Sequence, residues 1–170
     1  MKDLTGVDMF TVDCDVICIT TNGFVKANGE CVMGRGCALE LAKLFPRAPR
    51  ILGSMIRQWG NRVQPILMAN GTYAVAFPVK HGQAVCDGTN VVSHAAHKYR
   101  VGQLVAGFHL KADIELIRLS AMQLKEWVDA RGYTNVLLPR VGCGAGELDW
   151  SVVKPVLETI LDDRFTAVTL

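Results

Sequence analysis

Two apolar runs constrain this chain more than anything else in it. Val16-Ile17-Cys18-Ile19 leads into Thr20, and Val136-Leu137-Leu138 leads into Pro139. Neither run alternates polar with apolar residues. A strand that is apolar at every position is buried on both faces, so helices must cover both sides of its sheet. Each run is followed by a glycine-rich stretch and then by a helical pattern. The first stretch, Thr20 to Gly36, holds four glycines and two asparagines. The second is Gly142-Cys143-Gly144-Ala145-Gly146. Glycine lets a backbone approach a ligand closely, and free amides at a helix N-terminus attract anions. In open α/β sheets, ligands bind beyond the carboxyl ends of the strands. Two such loops therefore suggest one elongated, phosphate-containing ligand.

The remaining segments fit the same architecture. Residues 1–13 read as a short strand and a turn. Ala38, Leu41, Ala42 and Phe45 form one helix face that Pro46 stops. A second helix is expected over 50–59 with Ile51, Met55 and Ile56 inward. Val63 to Met68 and Tyr73 to Val79 flank Asn70-Gly71, which is a hairpin signal. Asp113 is a plausible N-cap for a long helix with the stripe Ile114, Ile117, Ala121, Leu124 and Val128, ended by Gly132. A helix over about 150–161 and a strand over 165–169 complete the chain. Residues 82–110 show no period and read as a lid or an insertion. The expected fold is α/β, with three α/β/α layers and a mixed, mostly parallel sheet covered by helices on both faces.

Composition narrows the function by exclusion. At 170 residues, the chain 1–170 is expected to form a single domain. A net charge of +2 is too small to argue for nucleic acid or an anionic membrane. No apolar run reaches the ~20 residues that span a bilayer, and the polar, acid-bearing N-terminus does not read as a signal peptide. A cytoplasmic location and a monomeric state are the expectations. The six cysteines form no CxxC pair, so a zinc ribbon or redox motif is not indicated, and they are expected to stay reduced. His94 and His97 make an HxxH with no evident third ligand, so no metal is expected. There is no GxxxxGK[ST], and Gly34-Arg35-Gly36 is only GxG, so neither a P-loop nor a dinucleotide fingerprint is present.

Taken together, the motifs resemble a macro domain, the ADP-ribose-binding module, from about Val7 to Leu170 with 82–110 outside the match. The resemblance rests on Asp8-Met9, on Asp15-Val16-Ile17 with Asn22, on Gly29 through Ala38, on Phe77-Pro78-Val79-Lys80 and on Pro139 through Trp150. The Met-Gly-x-Gly-x-Ala form of the first loop is similar to the branch containing DNA ADP-ribosyl glycohydrolase antitoxins and terminal ADP-ribose glycohydrolases. The resemblance implies that ADP-ribose is the ligand and that no cofactor is needed. Asp8, with Met9 beside it, would accept from the adenine amine. Asn22 would face the distal ribose, and Gly34 and Gly36 would give backbone N–H groups to the diphosphate. Gly142, Cys143, Gly144, Ala145 and Gly146 would close from the other side. Thr21, Gly29, Met33 and Pro78 complete the implied ligand-binding set. Lys80 would act with Asn22 at the anomeric centre, which requires its amine to be partly neutral. Trp150 is expected in the core.

One departure stands out. The terminal glycohydrolase pattern carries an aspartate where this chain has Gly146, while the DNA-directed pattern tolerates a small residue there. Glu147 and Asp149 are the nearby acids. Three activities follow from the resemblance: hydrolysis of ADP-ribose from a modified nucleic acid or protein, non-catalytic reading of ADP-ribose, and phosphatase action on ADP-ribose 1″-phosphate. The substrate class, the partner macromolecule and the role of 82–110 are left open by the sequence.

Overall fold

The computed structural model describes residues 1–169. Strand β2 (Val16–Thr21) lies inside a six-stranded sheet, between β7 (Val136–Pro139) and β4 (Thr72–Pro78). The full order is β1-β8-β7-β2-β4-β3, with β1 at Lys2–Thr5, β3 at Gln64–Ala69 and β8 at Phe165–Thr169. All pairings are parallel except that of β3 with β4. The sheet is therefore mixed and mostly parallel, as the apolar runs require.

Double-sided burial is visible residue by residue in β2. Val16 and Cys18 join one core with Ile117, Leu124 and Val128 of α3 (Ile114–Arg131) and with Val153 and Leu157 of α4 (Trp150–Glu158). Ile17 and Ile19 point the other way. They join Ala38 and Leu41 of α1 (Gly36–Leu44) and Leu52 of α2 (Ala48–Trp59). Alternate side chains of one strand thus feed two cores, which fixes the three layers.

Local signals set the element ends. The β3–β4 turn is Asn70-Gly71 with φ of 51° and 82°, the primed geometry that suits a tight hairpin. Asp113 caps α3 by accepting the Glu115 N–H, and Gly132 ends it in the left-handed conformation at φ 69°. Helix α2 departs from its expected face. Its buried residues are Ala48, Leu52 and Gly53, whereas Ile51 is exposed and Met55 and Ile56 are only half-buried. The cause is backbone contact. A Cβ on Gly53 would collide with the carbonyl oxygen of Gly29 and crowd the Cys31 amide. The helix turns its one glycine to the chain beneath it, and the apolar stripe rotates by about one position.

Residues 82–110 are ordered as a small module. Strands β5 (Gln83–Val85) and β6 (Leu104–Ala106) pair antiparallel, and a short 3-10 helix covers Ser93–Lys98. Cys86, Val91, Val92, Ala95, Val105 and Leu110 form a buried cluster of their own. Among the described residues no helix is long and apolar enough to cross a membrane, and all six cysteines are free.

The close approach at Gly53 generates a prediction. Gly53→Ala should lose about 1–3 kcal/mol of stability, because overpacking meets backbone rather than a yielding side chain. Urea denaturation measures this; an unchanged midpoint would show that the 29–31 strand end relaxes freely.

Candidate functional site

Because β1, β8, β7, β2 and β4 run parallel, the loops that follow them emerge at one edge of the sheet. A cleft of about 1420 Å³ runs along that edge. Asp8, Met9 and Phe10 line it after β1, Arg140 and the second glycine-rich loop after β7, Thr21 and Asn22 after β2, and Lys80 after β4. A further space of about 570 Å³ continues outward between the two loops, bounded by Gly34, Gly36, His94, Gly144 and Ala145.

The first loop is braced from inside. Asn22 Nδ2 donates to the Val32 carbonyl at 2.8 Å, and its Oδ1 accepts the Phe24 N–H at 3.0 Å. Its amide lines the cleft but is largely spent on holding the loop. Gly36 opens α1 at φ 56°. Arg35, the N-cap, provides no side-chain cap, and no acid occupies the first turn. The first amides of α1 are thus left without a side-chain acceptor beside the cleft, a favourable setting for an anion. Thr21 is buried with no hydrogen-bond partner for its Oγ1.

The second loop is tightly wound. Gly142 sits at φ 76°, and a Cβ on Gly146 would collide with the Gly142 carbonyl and press on the Ala112 side chain. No aspartate fits at 146 without rearrangement of this loop. Glu147 adopts φ 60°, a conformation that costs a non-glycine residue about 1–3 kcal/mol. Both its carboxylate oxygens are taken, one by the Ser93 N–H at 2.8 Å and one by the Ser93 hydroxyl at 2.9 Å. Asp149 is likewise occupied as the N-cap of α4, accepting from Ser151. Neither acid beside the loop is a free general base.

Lys80 is only 5% exposed, and its ammonium donates to the Ala145 carbonyl at 2.7 Å. Burial drives its pKa down to about 8; Glu147 opposes the shift and Arg35 adds to it. At that value about a tenth of the amine is neutral at pH 7. The Asn61 side-chain amide fixes the Lys80 backbone by donating to its carbonyl at 2.9 Å.

Gly29, Met33 and Pro78 do not line the cleft. Gly29 turns at φ 88° under α2, Met33 is packed in the α1–α2 core, and the Pro78 carbonyl accepts the Ser120 hydroxyl beneath α3. Trp150, expected in the core, lines the cleft as well as packing against it. Its Nε1 donates to Asp3 at 3.0 Å, and Arg140 lies over its ring at 5.5 Å. Asp3 also accepts from Arg140 and Lys154.

Phe10, Phe108 and His109 line the cleft without any signal of period or motif, and Arg35 and Arg140 line it from within the two loop motifs though the resemblance implies no role for them. His109 Nδ1 pairs with the Tyr99 hydroxyl at 2.8 Å, and Phe108 meets Phe24 edge-on at 5.1 Å. Burial, and then Lys98, His94, Lys80 and Arg35, hold the His109 imidazole below its usual pKa.

No family model and no curated protein matches the sequence. Solved structures do match. The macrodomain of Mycobacterium tuberculosis DarG superposes with a TM-score of 0.69 at 18% identity, covering 98% of this chain and 96% of that one. The macrodomain of Thermus aquaticus DarG gives 0.68 at 18%, covering 99% and 95%. Thermosipho africanus DarTG in complex with ADP-ribose gives 0.64 at 19%, covering 99% of this chain and 42% of that one. The chain has the macrodomain fold. At these identities the likeness carries the fold alone, so the chemistry of this macrodomain cleft rests on its own side chains. Burial pushes the Cys143 thiol up to about 11 and raises that of Cys37 as well, so neither cleft thiol is a ready nucleophile. Among the described residues no cluster of His, Cys, Asp and Glu gathers as a metal site. Lys80 and His109 are the cleft bases that burial shifts toward their neutral forms.

The shift has a sign that can be read in stability. Between pH 8 and 10.5 the unfolded chain holds the Lys80 proton while the folded chain has released it. The unfolded state then binds more protons, so this lysine's contribution to stability rises with pH across that window. The stability difference between wild type and Lys80→Met, from urea denaturation, should move in favour of wild type from about pH 8 to 10.5. Parallel curves would mean that Lys80 titrates like an exposed lysine.

Proposed function

We propose that this protein binds ADP-ribose along the strand-end cleft and hydrolyses the bond joining ADP-ribose to a modified substrate, a nucleic acid or a protein. The observation that carries the reading is Lys80: a buried amine near pKa 8, at a strand end, under a glycine-rich loop. The cleft suits an extended ligand. Asp8 and Trp150 stand near the β1–β7 side, where an adenosine would lie. The N-terminus of α1 and the 142–146 loop face each other across the middle, where a diphosphate would take their amides. Lys80 then meets the distal ribose, with Asn22 shaping the loop beside it. Attack of a neutral lysine at the anomeric carbon releases the substrate, and water resolves the covalent intermediate. The ligand of Thermosipho africanus DarTG supports the choice of ADP-ribose.

A second reading has its own support. Glu147 and Asp149 are both hydrogen-bonded to serines, and Gly146 cannot bear a carboxylate without rearrangement, so the second loop offers no acid poised to activate water. A module that reads ADP-ribose without cleaving it would look the same.

Incubation with ADP-ribosylated DNA, ADP-ribosylated protein and ADP-ribose 1″-phosphate separates these readings. Release of ADP-ribose from one of the first two is expected, together with a fall of at least ~100-fold for Lys80→Ala. Tight ADP-ribose binding by calorimetry without turnover would leave the reader, turnover of the 1″-phosphate alone a phosphatase, and no binding would remove all three. Glycohydrolase activity that survives Lys80→Ala would remove the lysine from the chemistry.

A further inference from the structure

Within 83–106, Ser93 is the residue that hydrogen-bonds to the second glycine-rich loop. Glu147 accepts both the backbone N–H and the hydroxyl of Ser93. Among the described residues, the other hydrogen bonds of 83–106 end within residues 82–111. At its root the module is pressed against the body. A Cβ on Gly107 would collide with the carbonyls of His81 and Asn22, and Phe108 packs on Phe24. A module with its own buried cluster, seated at a root and tied to the loop at one further point, can move as a body when the tie breaks. The tie sits beside the cleft: His94, next to Ser93, lines the space between the two glycine-rich loops. Glu147 holds its position at φ 60°, where glycine would be relaxed. The strained conformation aims the carboxylate at Ser93, and strain kept at such a point is a sign of use.

We propose that Glu147 is a latch: it fastens the 82–110 module to the second glycine-rich loop, holds the cleft closed over its middle, and sets how fast a ligand enters and leaves. The choice of ligand rests on the ADP-ribose reading above. The same loop is held from beneath by Lys80 through the Ala145 carbonyl. Opening the latch therefore frees Glu147 from the module, while the Lys80 contact and the Ala112 N–H bond to the Gly146 carbonyl remain.

The full chain and two variants, Glu147→Ala and Ser93→Ala, test this from both sides of the contact. In the ligand-free protein, hydrogen exchange of the Ser93 amide and of residues 94–98 should speed up by about threefold or more in each variant. With ADP-ribose, stopped-flow tryptophan fluorescence, to which Trp150 contributes, should show association and dissociation both faster by a similar factor and the Kd little changed. The double variant should be no faster than Glu147→Ala alone, because that change already removes both hydrogen bonds of the tie, whereas Ser93→Ala removes only the one from the hydroxyl. Unchanged exchange at Ser93 overturns the latch. So do unchanged rates in both variants, or a change confined to dissociation, which would make Glu147 a ligand contact instead. Should ADP-ribose fail to bind the wild type, the ligand reading falls and exchange in the free protein alone decides the latch. If Glu147→Ala lowers the melting temperature sharply, Ser93→Ala carries the test.

Discussion

Everything in this molecule depends on β2 being buried on both faces. A strand in that position has no solvent face on which to place polar residues, so its chemistry is displaced to its carboxyl end. Thr21 and Asn22 mark that displacement, and the flanking strands do the same with Lys80 and the 140–149 loop. Parallel pairing brings these ends to one edge. The cleft therefore follows from the sheet, and no separate device is needed to assemble it.

The same logic explains Lys80. A lysine ammonium resists burial, and a site that buries one must either pair it or shift its pKa. Here the sole hydrogen bond described for the ammonium goes to a neutral carbonyl, on Ala145. Glu147, the acid nearest in effect, spends its hydrogen bonds on Ser93. A full ion pair would have held the amine protonated; a carbonyl leaves the desolvation largely uncompensated. The arrangement that favours the neutral amine of Lys80 is thus the withholding of a partner.

Legibility followed the physics of periodicity. The core strands, the Asn70-Gly71 hairpin, the Asp113 cap and Gly132 stop were readable because each is a local pattern with a local cause. The glycine-rich loops were readable because glycine has few other reasons to cluster after a buried strand. Helix α2 misled, since its inward face is decided by how near a backbone 24 positions away approaches Gly53, and no property of the helix reports that. Gly29, Met33 and Pro78 share motifs with cleft residues but do not line the cleft: Gly29 makes a turn, Met33 packs in the core and Pro78 ends β4 with its carbonyl bonded to Ser120. The segment 82–110 hid its order: strands of three residues and one short 3-10 helix are below the length at which any period shows. With it went Phe108 and His109, and Arg140 and Trp150 were obscured by an ion-pair cluster centred on Asp3, far away in sequence.

The glycine at 146 joins these observations. Its Cβ position is filled by the Gly142 carbonyl and the Ala112 side chain, so the loop is wound too tightly to carry a side chain there. Tight winding brings Ala145 down onto Lys80 and turns Glu147 outward at positive φ, toward Ser93. A looser loop could hold a carboxylate at 146, yet it would give up the carbonyl that seats Lys80 and the geometry that reaches the module. The lack of room for a side chain at 146 and the contact between loop and module are then two consequences of one backbone conformation. If the cleft hydrolyses its ligand, it does so with protection of the lysine and control of closure in place of a carboxylate beside the ribose.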